Sequence, residues 1–206
     1  MRLVVLDRDG VINRDSDDYI KSPDEWEPIP GSLEAIARLC RDDYKVVIAT
    51  NQSGVGRGMF SMDTLNKIHV RMLEAVREKG GEIEAVFFCP HTPEDRCSCR
   101  KPRPGMLLEI QERLKASLAG VPMVGDALRD VEAAQAVNGL PVLLRTGKGS
   151  RTIDALSAEE VRDRLMHVPI FDDLSAFVDA LLYGKLKKET AQVMRRAGRV
   201  GTTGTR

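Results

Sequence analysis

Residues Arg2–Leu6 (RLVVL) form a short apolar run rich in β-branched side chains, and Asp7-Arg8-Asp9-Gly10 follows without a break. An apolar run of this length, closed by polar residues, predicts a strand buried on both faces, as in a parallel sheet. In open α/β sheets, ligands bind in the crevice beyond the carboxyl ends of the strands. Two carboxylates one residue apart would therefore leave the core where chemistry is usually done. Asp beside Gly at a strand end is also a turn signal, so the pair needs support from later in the chain.

That support comes from repetition. Lys45–Ala49 (KVVIA) predicts a second strand, ending in Thr50-Asn51-Gln52-Ser53-Gly54. Ile83–Phe88 predicts a third, followed by the cysteine-rich run Cys89–Cys99 and then Arg100-Lys101. Val121–Val124 predicts a fourth, ending in Gly125-Asp126-Ala127-Leu128-Arg129-Asp130, and Pro141–Leu144 a fifth. Between them, apolar residues recur at helical spacing. One helix opens at Gly31-Ser32 with Ser32 as N-cap; others fall on Ser61–Lys79, Met106–Ala116 and Val131–Val137, the last closed by Asn138-Gly139. Within these, His69 is assigned to a surface or packing role and Cys40 to the core. Alternating strands and helices predict an α/β fold, a Rossmann-like three-layer sandwich with a central parallel sheet and right-handed crossovers. The polar, proline-bearing stretch Val11–Ile29 is expected to run over the sheet edge.

After Thr146 the pattern weakens to a helix over Ser157–Met166, an edge strand over Val168–Phe171 and a helix over Leu174–Leu182, with Asp172 or Asp173 at its cap. One domain is expected over residues 1–183. Residues 184–206 carry Lys185, Lys187, Lys188, Arg195, Arg196 and Arg199 and read as a poorly ordered, solvated basic tail.

Composition narrows the function classes. A net charge of zero and 4% aromatic residues argue against a nucleic-acid groove. No apolar run reaches the roughly 18–20 residues needed to span a bilayer, and the N-terminus shows no signal-peptide pattern. The expectation is a cytoplasmic protein without membrane or nucleic-acid partners, and a monomer for want of an obvious interface helix.

In a parallel sheet the strand ends lie side by side. Carboxylates from the first and fourth strands suit Mg²⁺, which takes oxygen ligands and keeps several waters. Lys101 beside them makes a place for a phosphoryl group, and a carboxylate facing phosphorus can attack in line. Cys89, His91, Cys97 and Cys99 have the spacing C-x-H-x₅-C-x-C. Three thiolates and one imidazole make a closed tetrahedral Zn²⁺ site with no open position, hence a structural one; the alternative is free thiols in a surface loop.

Asp7-Arg8-Asp9-Gly10-Val11, Thr50, Lys101 and Gly125–Asp130 resemble the four motifs of the haloacid dehalogenase superfamily of phosphatases. Asn51–Gly54, Cys89-Pro90-His91 and Cys97–Met106 are similar to the small members without a cap that act on histidinol phosphate or heptose bisphosphate. The resemblance covers about Arg2–Gly147 and implies no large cap domain. It implies that Asp7 is the nucleophile and a Mg²⁺ ligand. Asp9 would protonate the leaving alkoxide and then activate water, its main-chain carbonyl also binding the metal. Thr50 and Lys101 would hold the transferring phosphoryl oxygens. Asp126 would complete the Mg²⁺ ligands, with Asp130 behind it as support or as a helix cap.

By the same resemblance, Asp15, Ser16, Asp17, Asp18, Asn51, Gln52, Ser53 and Arg100 would contact substrate. Arg100 suits a second anion. Ala127 stands where other members carry Lys, which removes one phosphate contact. The favoured substrate is a sugar bisphosphate, D-glycero-D-manno-heptose 1,7-bisphosphate, losing its 7-phosphate. The rivals are histidinol phosphate and, from another class, a zinc- and phosphate-binding module without catalysis.

Overall fold

Residues 1–154, 165 and 167–184 are described by the computed structural model. Strands β1 (Arg2–Leu6), β2 (Tyr44–Asn51), β3 (Ala85–Cys89), β4 (Pro122–Gly125), β5 (Leu140–Leu144) and β6 (Ile170–Phe171) form one sheet. Their order is β3-β2-β1-β4-β5-β6, and every neighbouring pair is parallel. The helices are α1 (Ser32–Arg41), α2 (Ser53–Gly56), α3 (Met62–Glu78), α4 (Gly105–Leu114), α5 (Leu128–Ala136), α6 (Gly149–Asp154) and α7 (Leu174–Leu182).

The period-2 geometry of the strands sorts their side chains onto two apolar faces. Val4, Leu6, Val46, Ile48, Val124 and Val142 pack with Leu33, Ile36 and Leu39 of α1, Ile68 and Met72 of α3 and Phe177 of α7. Leu3, Val5, Val47, Ala49 and Met123 face the other way, onto Met106, Leu107 and Ile110 of α4 and Ala133 and Ala134 of α5. A sheet covered on both sides explains why the strands read as continuous apolar runs rather than alternating ones. The sequence expectation of a three-layer α/β sandwich holds.

Several boundaries differ from the sequence reading. Strand β2 continues through Asn51, with Thr50 paired to Phe88 and Asn51 to Cys89; a ladder partner holds these polar residues in strand geometry. Strand β3 starts two residues later than Ile83 and runs through Cys89. Ser32 is not the N-cap of α1. That position is Gly31 at φ 83°, while Ser32 Oγ donates to Ile12 O at 2.6 Å. Helix α5 begins at Leu128, so Asp130 sits in its first turn. Asp173 caps α7, accepting from Ala176 N at 2.8 Å. The stretch 11–29 is anchored rather than merely draped, because Val11, Ile12, Ile20 and Trp26 join the first core. Cys40 lies at the core's margin, its Sγ 3.3 Å from Glu82 N. The helix expected over 157–166 (Leu165 apart) and the basic tail from 185 onward lie outside the described residues.

The strand order places the site. The chain winds from β1 to β2 and β3 on one side, then returns to β4 beside β1 and winds outward to β5 and β6 on the other. The crevice at such a reversal, at the carboxyl ends of β1 and β4, is the natural ligand position of an open α/β sheet. Asp7 follows β1 and Asp126 follows β4.

Candidate active site

Asp7 is held at both ends of its residue. Its backbone N–H extends the ladder to Val124 O at 2.9 Å. Its Oδ1 accepts from Arg8 N at 2.7 Å, and its Oδ2 lies 3.0 Å from Lys101 Nζ. Lys101 arrives from the loop after β3 with its side chain 4% exposed. Its ammonium also meets Asp130 Oδ1 at 2.6 Å and Ala49 O at 2.7 Å. Burial raises the Asp7 carboxyl, but Lys101 and Arg129 outweigh it, and the net shift is downward. Burial likewise works against charge on Lys101, and Asp130 and Asp7 reverse it, so the ammonium is raised above its ordinary value. The nucleophile candidate is therefore ionised and its neighbour cationic.

Asp126 is fully buried. Its Oδ2 accepts from Lys148 N at 2.7 Å, whereas its Oδ1 has no hydrogen-bond partner. Burial, then Asp7, then Asp130 push its carboxyl up to about 7. Gly10 and Gly147 cradle it: at φ +78° and +57°, a Cβ on either would stand 2.1 or 2.2 Å from Asp126 Oδ2. Carboxylate oxygens of Asp7, Asp126 and Asp130 gather within 4.8 Å of one another. An orphaned buried carboxylate oxygen beside two further carboxylates is a donor set that fits a hard divalent cation. Asp130 is the most occupied of the three. Its Oδ1 meets Lys101, and its Oδ2 accepts from Ala127 N at 3.1 Å; the N-cap of α5 is Ala127, so Asp130 is not the helix cap but a first-turn residue bonded back to it. The Asp9 carboxylate is not in this group.

Asp9 instead belongs to a buried polar network. Arg8 Nε and Nη2 donate to its two oxygens at 3.0 and 2.9 Å. Asn13 Nδ2 donates at 2.8 Å, and Gln52 Nε2 at 2.8 Å. The same Gln52 nitrogen donates to Thr50 Oγ1 at 2.9 Å, which leaves the Thr50 hydroxyl proton free to donate. Arg8 has no exposed surface at all.

A cleft of about 170 Å³ opens over Asp7, Asp9 and Thr50. Of the expected substrate contacts, Asp15, Ser16, Asp17, Asn51, Gln52, Ser53 and Arg100 line it and Asp18 does not. Asn51 reaches it with its amide already engaged: Nδ2 donates to Lys101 O at 3.0 Å and Oδ1 accepts from Lys101 N at 3.1 Å.

The four residues of the cysteine cluster come together. Cys89 Sγ lies 3.6 Å from Cys97 Sγ and 3.3 Å from Cys99 Sγ. Cys97 and Cys99 are 3.4 Å apart, and His91 Nδ1 is 3.3 Å from Cys99 Sγ. A tetrahedron with metal–sulfur bonds of about 2.3 Å has edges a little under 4 Å, so these donors fit one Zn²⁺. Arg100 Nη1 donates back to His91 O at 3.3 Å, tying the cluster to the loop segment that carries Lys101.

The profile of the HAD-hydrolase-like family matches residues 98–175. The D-glycero-beta-D-manno-heptose-1,7-bisphosphate 7-phosphatase of Pseudomonas aeruginosa is 52% identical over 87% of this chain and 97% of its own length. Its counterpart in Bordetella bronchiseptica is 50% identical over 88% and 98%. The crystal structure of D,D-heptose 1,7-bisphosphate phosphatase from B. bronchiseptica, complexed with magnesium and phosphate, superposes with a TM-score of 0.83 at 49% identity, covering 89% of this chain and 99% of that one. The chain belongs to this phosphatase family, within the haloacid dehalogenase superfamily.

For a phosphatase of this family, the sequence reading missed three groups. Arg8 reads in sequence only as the spacer between two aspartates, yet its fork holds the Asp9 carboxylate. Arg129 and Lys148 line the cleft. Arg129 carried a signal, since it lies three residues past Asp126, in the first turn of the helix that follows. Lys148 carried none: it follows β5 and meets Asp15 at 3.1 Å and Asp17 at 3.4 Å only through the fold.

Proposed function

We propose that this chain removes the 7-phosphate from D-glycero-D-manno-heptose 1,7-bisphosphate, through a phosphoryl group carried on Asp7. The observation that carries this reading is the packing of Lys101 Nζ against Asp7 Oδ2 at 3.0 Å, beside the unpartnered Asp126 Oδ1. An ionised nucleophile, a fixed cation and an open metal ligand are what in-line phosphoryl transfer requires.

Asp7 attacks phosphorus as the bond to the sugar oxygen breaks. Lys101 and the Thr50 hydroxyl take the equatorial phosphoryl oxygens. Asp9 gives a proton to the leaving alkoxide, then removes one from the water that cleaves the aspartyl-phosphate, which returns Asp7 and releases inorganic phosphate. To reach the leaving oxygen, the Asp9 carboxylate must turn from Arg8, while Asn13 and Gln52 keep it near the cleft. Asp7 and Asp126, with the Asp9 main-chain carbonyl, would hold Mg²⁺, which when bound neutralises charge on the transferring group. Cys89, His91, Cys97 and Cys99 would hold Zn²⁺ and so order the approach of Arg100 and Lys101. Three thiolates this close persist as metal ligands in a reducing compartment, which supports a cytoplasmic enzyme.

Phosphate release from the heptose bisphosphate and from histidinol phosphate, each with and without Mg²⁺, tests this. The bisphosphate with Mg²⁺ is expected to turn over fastest, and borohydride trapping should mark Asp7. Asp7→Asn should lower turnover by at least about 10⁴-fold. Faster turnover of histidinol phosphate would overturn the substrate, and an unmarked Asp7 the mechanism.

A further inference from the structure

Arg129 has uncommitted donors at the wall of the cleft. It stands in the first turn of α5, its Nη2 4.0 Å from Asp126 Oδ1 and so beyond hydrogen-bond reach. Its Nε is buried with no partner. The other cleft cations are engaged. Lys101 is committed to the transferred group, its ammonium set against Asp7, Asp130 and Ala49 O. Lys148 bridges Asp15 and Asp17, and Arg100 leans on His91 O. Ala127, two residues before Arg129, offers only a methyl group. A buried guanidinium nitrogen left without an acceptor is costly, and a ligand oxygen would remove that cost.

We propose that Arg129 is a specificity residue that grips the phosphate the enzyme does not transfer. This rests on the bisphosphate reading above. The transferred phosphoryl group already has Lys101, Thr50 and the carboxylate-bound metal. A second phosphate entering the same cleft needs a cation on the wall away from Lys101, and a guanidinium presents a planar fork that matches two phosphate oxygens. The acidic groups around Arg129, with Asp130, Asp7, Asp126 and Asp15 the main ones, hold it in place between turnovers.

The experiment compares wild type, Arg129→Gln and Arg129→Lys on the heptose bisphosphate and on p-nitrophenyl phosphate, a monoester without a second anion. With the bisphosphate, the Gln variant should show kcat/KM reduced about tenfold or more, mainly through KM. With p-nitrophenyl phosphate the loss should be clearly smaller and should fall on kcat, because the Arg129 charge also helps keep Asp7 ionised, and Lys should restore only part of the bisphosphate loss because it lacks the fork. Calorimetry with heptose 1-phosphate, which bears only the retained phosphate, should show the same weakening without turnover. Equal losses on both substrates would place Arg129 on the transferred group and overturn the proposal, as would no loss on either. A wild-type enzyme with no preference for the bisphosphate would instead overturn the substrate reading beneath it.

Discussion

Asn51 and Lys101 exchange two hydrogen bonds across fifty residues of chain, Nδ2 to the Lys101 carbonyl at 3.0 Å and Oδ1 from the Lys101 amide at 3.1 Å. The last residue of β2 thereby sets the register of a loop residue whose ammonium must meet Asp7. Asn51→Ala removes both bonds and leaves Lys101 to be placed by the loop alone. Turnover with saturating Mg²⁺ should fall about 10- to 100-fold, the usual cost of losing a group that orients a site. Asn51→Asp keeps the acceptor and should lose less. Steady-state assay of the two variants decides this, and wild-type turnover in Asn51→Ala would mean that the loop needs no clamp.

The cluster of Cys89, His91, Cys97 and Cys99, the proposed zinc site, holds the same loop from its other end. Stripping the metal with a thiolate-competing chelator and then restoring excess Mg²⁺ should leave activity below about a tenth of the starting value. The melting temperature should fall in parallel, and Zn²⁺ should restore both. Full turnover in the stripped protein would uncouple the cluster from Lys101.

Gly10 tests the cradle of Asp126. At φ +78° a Cβ would meet Asp126 Oδ2 at 2.1 Å, so Gly10→Ala faces both backbone strain and a clash. Stability should drop by about 1–2 kcal/mol from the left-handed conformation alone. Displacement of the carboxylate should raise the Mg²⁺ concentration needed for half-maximal activity several-fold. A Mg²⁺ titration together with denaturant melts separates the two effects, and an unchanged Mg²⁺ requirement would clear Asp126 of dependence on Gly10.

His69 couples stability to pH. It is 6% exposed, and its Nε2 has no partner. Burial first, and Arg8 second, push its imidazole down from 6.5 to about 4. The unfolded chain therefore binds a proton more readily than the folded one between those values. Folding free energy should be at its full value above pH 6.5 and decline as pH falls toward 4. The decline from this residue is on the order of 3 kcal/mol. Urea melts from pH 7.5 to 4 should show a shallower fall in His69→Gln than in wild type; parallel curves would assign the pH dependence to other groups.

Much of this was legible in sequence because its causes are local. Unbroken apolar runs such as Arg2–Leu6 declare strands buried on two faces, and the polar residues closing each run must then gather along one sheet edge, so Asp7, Asp9, Thr50 and Asp126 could be named from the strand pattern. The gathering of Cys89, His91, Cys97 and Cys99 was readable for the same reason, since they lie within one loop. Tertiary structure alone decided which partner each group would meet. Ser32 became a tether to Ile12 rather than a cap. The Asn51 amide turned to the Lys101 backbone, Arg8 closed on Asp9, Asp18 stayed out of the cleft lining, and Lys148 came from beyond β5 to Asp15. Such pairings depend on how distant segments are brought together by packing, and hydrogen bonds form only over a few tenths of an ångström. Pattern in the chain can announce that a polar group will reach the site; the fold chooses its partner.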